Sequence, residues 1–182
     1  MTFKDFSKKG LKLLQILGVF HVFHEYLLDF CIAVGPSMLP TIGPSNEILI
    51  YERLSRWFPN FKLKYWPKLN INRNDIVIAI SKDDPEIRIC KRVLAIANDL
   101  VTICPDFTII SKLGDIHSTD IATFTQCSTY FVPPGYVWLQ GDNSKCSRDS
   151  RHYGPVPKPM ISGKVLYKIW PPNLWGSIYK RS

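Results

Sequence analysis

The chain has 182 residues, 46% hydrophobic and 21% charged, enough for one domain with its own core and too apolar for a wholly disordered chain. Its formal charge of +8 and pI near 9.3 leave three classes of partner open: nucleic acid, an anionic membrane surface and acidic macromolecules. The cysteines, at 31, 90, 104, 127 and 146, show no CxxC pair and no zinc-type spacing, and their odd number argues against a complete disulfide framework, so reduced, partly buried thiols are expected.

The first twelve residues carry Lys4, Lys8, Lys9 and Lys12 against one acid, Asp5. An apolar run of 12 residues follows, between Lys12 and Glu25, whereas a spanning helix needs about 20. Extension to Val34 reaches spanning length only by taking in Glu25 and Asp29. A buried or interfacial amphipathic helix and a membrane-spanning one both fit. A cleaved signal peptide fits poorly, since no small-x-small site follows the run closely. A spanning helix would keep the lysines on the positive-inside face and place the remainder across the membrane.

After Val34 the pattern changes to short runs rich in β-branched and aromatic residues, bounded by Pro, Gly, Asn or Asp. Residues 47–51, 75–80, 87–96, 100–103, 136–139 and 164–170 are predicted strands. Fourteen prolines and ten glycines fit a loop-rich β architecture. The fold class is mainly β, one domain (35–182) behind an N-terminal segment and helix (1–34). Residues 53–73 interleave Trp57, Phe58, Phe61, Tyr65 and Trp66 with Arg53, Arg56, Lys62, Lys64, Lys68 and Arg73, without an acid. Such a stretch suits a membrane interface or single-stranded nucleic acid, and equally a loop whose rings pack on a sheet edge.

Three segments carry candidate chemistry. In Gly35-Pro36-Ser37-Met38-Leu39-Pro40-Thr41 a serine is held between prolines, with a glycine that admits close approach; a plain turn has the same composition. In Ile87-Arg88-Ile89-Cys90-Lys91-Arg92-Val93-Leu94-Ala95 a strand puts Lys91 on one face with Ile87, Ile89, Val93 and Ala95. Desolvation there lowers an ammonium pKa and yields the base that a serine hydroxyl needs, unless the lysine snorkels to the sheet edge. The third, Gly141-Asp142-Asn143-Ser144-Lys145-Cys146-Ser147-Arg148-Asp149-Ser150-Arg151, is a polar loop in which Asp149 and Arg151 can pair and Ser147 can face a buried amine. It lacks the final glutamate of a calcium loop.

In this order the three segments resemble the motif boxes of the type I signal peptidase family, which uses a serine/lysine dyad. Asn74-Asp75-Ile76-Val77 is similar to that family's Gly-Asp-Ile-Val, and Cys90-Lys91-Arg92-Val93 to its Lys-Arg-Val. Within the family, Gly-Pro-Ser-Met, the serine at 147, the closing Lys168-Ile169-Trp170-Pro171 and the short stretch from 99 to 132 resemble the mitochondrial inner membrane protease, catalytic subunit 1 type. Two family glycines are replaced by Asn74 and Asn98, residues that tolerate a left-handed turn, and a third by Ala95.

The resemblance implies a signal-peptidase-like β-rich catalytic domain behind one membrane-anchoring helix, in the mitochondrial inner membrane and facing the intermembrane space. It implies a serine endopeptidase that removes sorting or signal peptides from precursor polypeptides, with Ser37 as nucleophile and Lys91 as base. The Ser37 N–H would be the oxyanion donor; some relatives add a serine hydroxyl where this chain has Gly35. Ser147 would orient the lysine, Asp149 and Arg151 would hold the loop, and Asp142 would be structural. No cofactor or metal is required, and the partners implied are a second catalytic subunit and membrane lipid, not nucleic acid. The rival readings are a non-catalytic assembly subunit, a basic nucleic-acid-binding β protein, and a Ser/Lys self-cleaving repressor, for which no DNA-reading helical module is present.

Overall fold

The computed structural model describes residues 3–22, 27–54, 70–105, 108–112 and 127–178. Helix α1 runs from Phe3 to Val22, and Leu11, Leu14, Ile16, Val19 and Phe20 along it are all exposed. Among the described residues no helix is long and apolar enough to cross a membrane. The lysines occupy the first half of α1, and residues 28–33, which an extension of the helix to Val34 would have taken in, are strand.

The strands are β1 (Leu28–Ala33), β2 (Glu47–Glu52), β3 (Ile76–Ile80), β4 (Arg88–Ile96), β5 (Asp99–Ile103), β6 (Thr108–Lys112), β7 (Ser128–Phe131), β8 (Tyr136–Gln140), β9 (Val156–Pro157), β10 (Ile161–Trp170) and β11 (Gly176–Ser177). A four-residue helix, α2 (Ser150–Tyr153), follows β8. The larger sheet is antiparallel in the order β1-β2-β10-β3-β4-β8-β9, with β11 on β10; the smaller is β6-β5-β7. The architecture is mainly β, as expected. Segment 53–73 lies for the most part outside the described residues.

Side chains alternate across β2, burying Leu49 and Tyr51 with Met38, Ile42, Ile76, Ile78 and Val165. A second cluster, Val77, Ala79, Val93, Val137, Leu139, Val156 and Ile161, fills the region between β3, β4 and β8. The small sheet packs through Val101 and Val132 onto Ala95 and Trp138, so the methyl at the third family-glycine position is core. Asn74 and Asn98 both take φ 70°, the left-handed geometry that their side chains tolerate at a glycine position.

The larger sheet curls until its β1 edge faces β4, although β2, β10 and β3 lie between them in the ladder. The two strands meet at Asp29, whose carboxylate lies 3.6 Å from Arg88 and accepts the Tyr51 hydroxyl at 2.5 Å. One cysteine expectation is corrected: Cys104 and Cys127 form a disulfide. The pairing Ile103↔Ser128 places the two cysteines opposite each other at the ends of β5 and β7, which sequence spacing alone does not reveal. Cys31, Cys90 and Cys146 are free.

Candidate active site

Ser37 sits in a 3-10 turn, Pro36–Met38, entered from Gly35 at φ 104°. A side chain is strained at that dihedral, so glycine is what lets β1 turn directly into the serine. Behind the serine, Met38 is plugged into the first core cluster and its carbonyl accepts the Ile42 N–H at 2.9 Å. Ser37 itself is half-buried. Further along, Thr41 is gripped from two sides: Arg92 donates to its hydroxyl at 3.3 Å and Lys168 to its carbonyl at 3.2 Å.

Lys91 lies in the middle of β4, opposite Val77 of β3. Burial alternates along the strand, with Lys91, Val93 and Ala95 buried and Arg92 and Leu94 half-buried, as the strand reading requires. Three lysines of the described residues are buried: Lys91, Lys164 and Lys168. Lys164 meets Asp75 at 2.7 Å and Lys168 meets Glu47 at 2.6 Å. Among the described residues only Lys91 of the three lacks a carboxylate in ion-pair contact. Desolvation accordingly pulls its pKa below the ordinary lysine value, the Asp149 charge opposing this and the Arg151 charge adding to it. An amine so placed is the kind that gives up its proton most readily.

The loop between β8 and α2 is organised by Asp149, which is fully buried. One carboxylate oxygen accepts the Arg151 N–H at 3.2 Å and the Arg151 Nε at 2.8 Å. The other accepts Ser147 Oγ at 2.6 Å, the Gly141 N–H at 3.0 Å and Arg151 Nη2 at 2.9 Å. Burial alone would raise this carboxyl, but the bonds from Arg151, Ser147 and Gly141 outweigh it and hold the pKa below the usual carboxylate value. Asp149 is also the N-cap of α2, a further reason for an acid there. Ser147 thus spends its proton on Asp149, leaving its lone pairs as acceptors. Asp142 forms a two-point pair with Arg92 at 2.7 and 2.6 Å, which ties the loop to the strand of Lys91.

Ser37 and Lys91 open into one cleft of about 240 Å³, walled by residues 31–35 of the β1 side and 87–91 of the β4 side. Its walls also carry Cys31 and Cys90, whose thiols burial pushes up to about 11 and about 12. Three features of the site went unassigned in the sequence reading: the grip on Thr41, the two cleft thiols, and Asn143. The last donates from its backbone N–H to the Ser37 carbonyl at 3.0 Å. Only the fold shows it, because the two residues lie far apart in the chain. The arrangement offers a hydroxyl and a desolvated amine in the lining of one cleft.

The family model described as "Signal peptidase, peptidase S26" matches residues 7–170. The chain is 38% identical to the mitochondrial inner membrane protease subunit 1 of Homo sapiens, over 86% of this chain and 78% of that one. It is 34% identical to subunit 1 of Saccharomyces cerevisiae, over 91% of this chain and 80% of the relative. Subunit 2 of the same yeast protease is 27% identical over 98% of this chain and 89% of its own length.

Proposed function

The chain belongs to the signal peptidase family, peptidase S26, and on that premise we propose that it is a serine endopeptidase in which Ser37 is the nucleophile and Lys91 the general base. The observation that carries the reading is the desolvated Lys91, with no carboxylate in ion-pair contact, opening into the same cleft as Ser37. The neutral amine takes the hydroxyl proton as Oγ attacks the peptide carbonyl. The resulting ammonium returns that proton to the departing amine, leaving an acyl-enzyme. Water, deprotonated by the same amine, releases the acyl group and restores Ser37. The Ser37 N–H is the oxyanion donor, with no help from position 35 because Gly35 has no hydroxyl. Asp149 and Arg151 fix the loop, Ser147 presents its lone pairs to the lysine, and Asp142 anchors the loop to β4 through Arg92.

The relatives' names, inner membrane protease subunits 1 and 2, support the finer reading. The substrates are precursors carrying sorting or signal peptides, the site faces the mitochondrial intermembrane space, and a second, related subunit and the lipid of the inner membrane are partners. The membrane association rests on the exposed apolar side chains of α1 and on this kinship. The test is cleavage of a presequence-bearing intermembrane-space precursor by the full chain in membranes, with its second subunit present. Wild type should cleave, and Ser37→Ala and Lys91→Ala should lose at least about a thousandfold in rate. Full activity in both variants would end the dyad reading.

A further inference from the structure

Asn143 makes two bonds to the turn of Ser37. Its backbone N–H donates to the Ser37 carbonyl at 3.0 Å, and its side-chain Nδ2 donates to the Pro36 carbonyl at 3.1 Å. The second bond has the larger consequence. The Pro36 carbonyl and the Ser37 N–H are two ends of one planar peptide group, and in a trans peptide they point in opposite directions. Whatever aims the Pro36 oxygen therefore aims the Ser37 N–H. The pyrrolidine ring already locks φ of Pro36, so the swing of this peptide plane rests on the torsions to either side of it. Within the turn the Pro36 carbonyl accepts the Leu39 N–H at 3.3 Å, and the Asn143 amide adds the restraint from outside it. A hydrogen bond accepted at a peptide oxygen also polarises the group and strengthens its N–H as a donor.

We propose that Asn143 is a positioning residue for the oxyanion site: through the Pro36–Ser37 peptide it holds the Ser37 N–H in the direction in which the developing oxyanion needs it. The inference rests on the reading of Ser37 as nucleophile and of its N–H as oxyanion donor. Two features of the site bear on that one N–H. Gly35 supplies no side-chain donor, and Gly141 packs against the Ser37 carbonyl so closely that a Cβ there would overlap it, so the loop that carries Asn143 is seated directly on the turn. Asn143 does not touch the reacting atoms. Its loss should lower the transition-state term while leaving ground-state binding of the peptide in place.

The test uses the full chain in membranes and the same precursor, comparing Asn143→Ala, Asn143→Asp and Asn143→Gln with wild type and Ser37→Ala. Asn143→Ala should lose about tenfold in kcat, with KM within about twofold of wild type. Asn143→Asp should lose at least as much, because it sets an acceptor against the Pro36 carbonyl, while Asn143→Gln, which keeps the donors, should recover part of the loss. An unchanged kcat in Asn143→Ala and Asn143→Asp overturns the proposal, as does a change confined to KM. If Asn143→Ala does not fold, the Asp and Gln variants decide the matter, and equal losses in both overturn it. Ser37→Ala separates the two levels of inference. An inactive Ser37→Ala beside a fully active Asn143→Ala removes only the positioning role, whereas an active Ser37→Ala removes the nucleophile and this proposal together.

Discussion

Lys91 occupies a site that is costly for a charge. With its pKa lowered by desolvation, the unfolded chain holds more protons than the folded one between the folded value and the ordinary value of 10.5. Stability therefore rises with pH across that window, and at neutral pH the folded state carries a penalty for the lysine. Lys91→Met should abolish cleavage and yet raise the thermal midpoint by about 2–4 °C, equivalent to about 1 kcal/mol. Thermal unfolding at pH 7 checks this, and a lowered midpoint would refute it. The same pKa sets the activity profile. Only the neutral amine accepts the serine proton, so kcat/KM should rise with pH and be lost as pH falls through the Lys91 value. Burial lowers that value and the Asp149 charge opposes the lowering. Asp149→Asn should therefore move the acid limb of kcat/KM to lower pH, even as the maximal rate drops because the loop loses its anchor. An acid limb that stays put or moves up would show that Asp149 does not face the base electrostatically.

At the scale of elements, the loop from β8 to α2 works because Gly141 has no side chain. A Cβ there would overlap Ser147 Oγ and Cβ and the Ser37 carbonyl, and a backbone atom cannot swing aside as a flexible side chain can. Gly141→Ala should cost about 1–3 kcal/mol of stability and remove activity. Adding Ser147→Gly should not restore it, since the clash with Ser37 remains; restored cleavage in the double variant would show that the serine turn yields more than its packing suggests. How much of this was legible beforehand follows from what is local. β2, β3, β4, β5, β8 and β10 coincide with β-branched runs between turn formers, and Lys91 stood out because the period of two is visible in one strand. β1 was hidden because Phe30, Cys31, Ile32 and Ala33 are apolar on both faces and, past Glu25 and Asp29, extend the apolar N-terminal segment. β6 and β7, with Thr-Ile-Ile-Ser-Lys and Ser-Thr-Tyr-Phe, are too short and mixed to declare a face. The three boxes announced which residues matter, but the contact of Asn143 with Pro36 crosses 107 positions and exists only once the larger sheet has curled.

The whole molecule divides its labour between two sheets. Ser37, Lys91 and the loop of Asp149 all belong to the larger one, while the smaller one holds the Cys104–Cys127 disulfide and leans on it through Val101, Val132 and the tilted Tyr130–Trp138 ring pair at 5.3 Å. The disulfide joins residues 23 apart in the sequence, and closing a loop of that length removes chain entropy from the unfolded state worth about 3 kcal/mol. Its contribution is then to stability and not to chemistry. Cys104→Ser with Cys127→Ser should lose about that much stability in denaturant unfolding, while cleaving precursor at a near wild-type rate at temperatures where it remains folded. Wild type treated with dithiothreitol should fall to the stability of the double variant, and the double variant should ignore the reagent. A folded double variant with no activity would mean that the small sheet acts on the cleft after all, and an unchanged unfolding midpoint would mean that the pairing of β5 with β7 is sufficient without the bond.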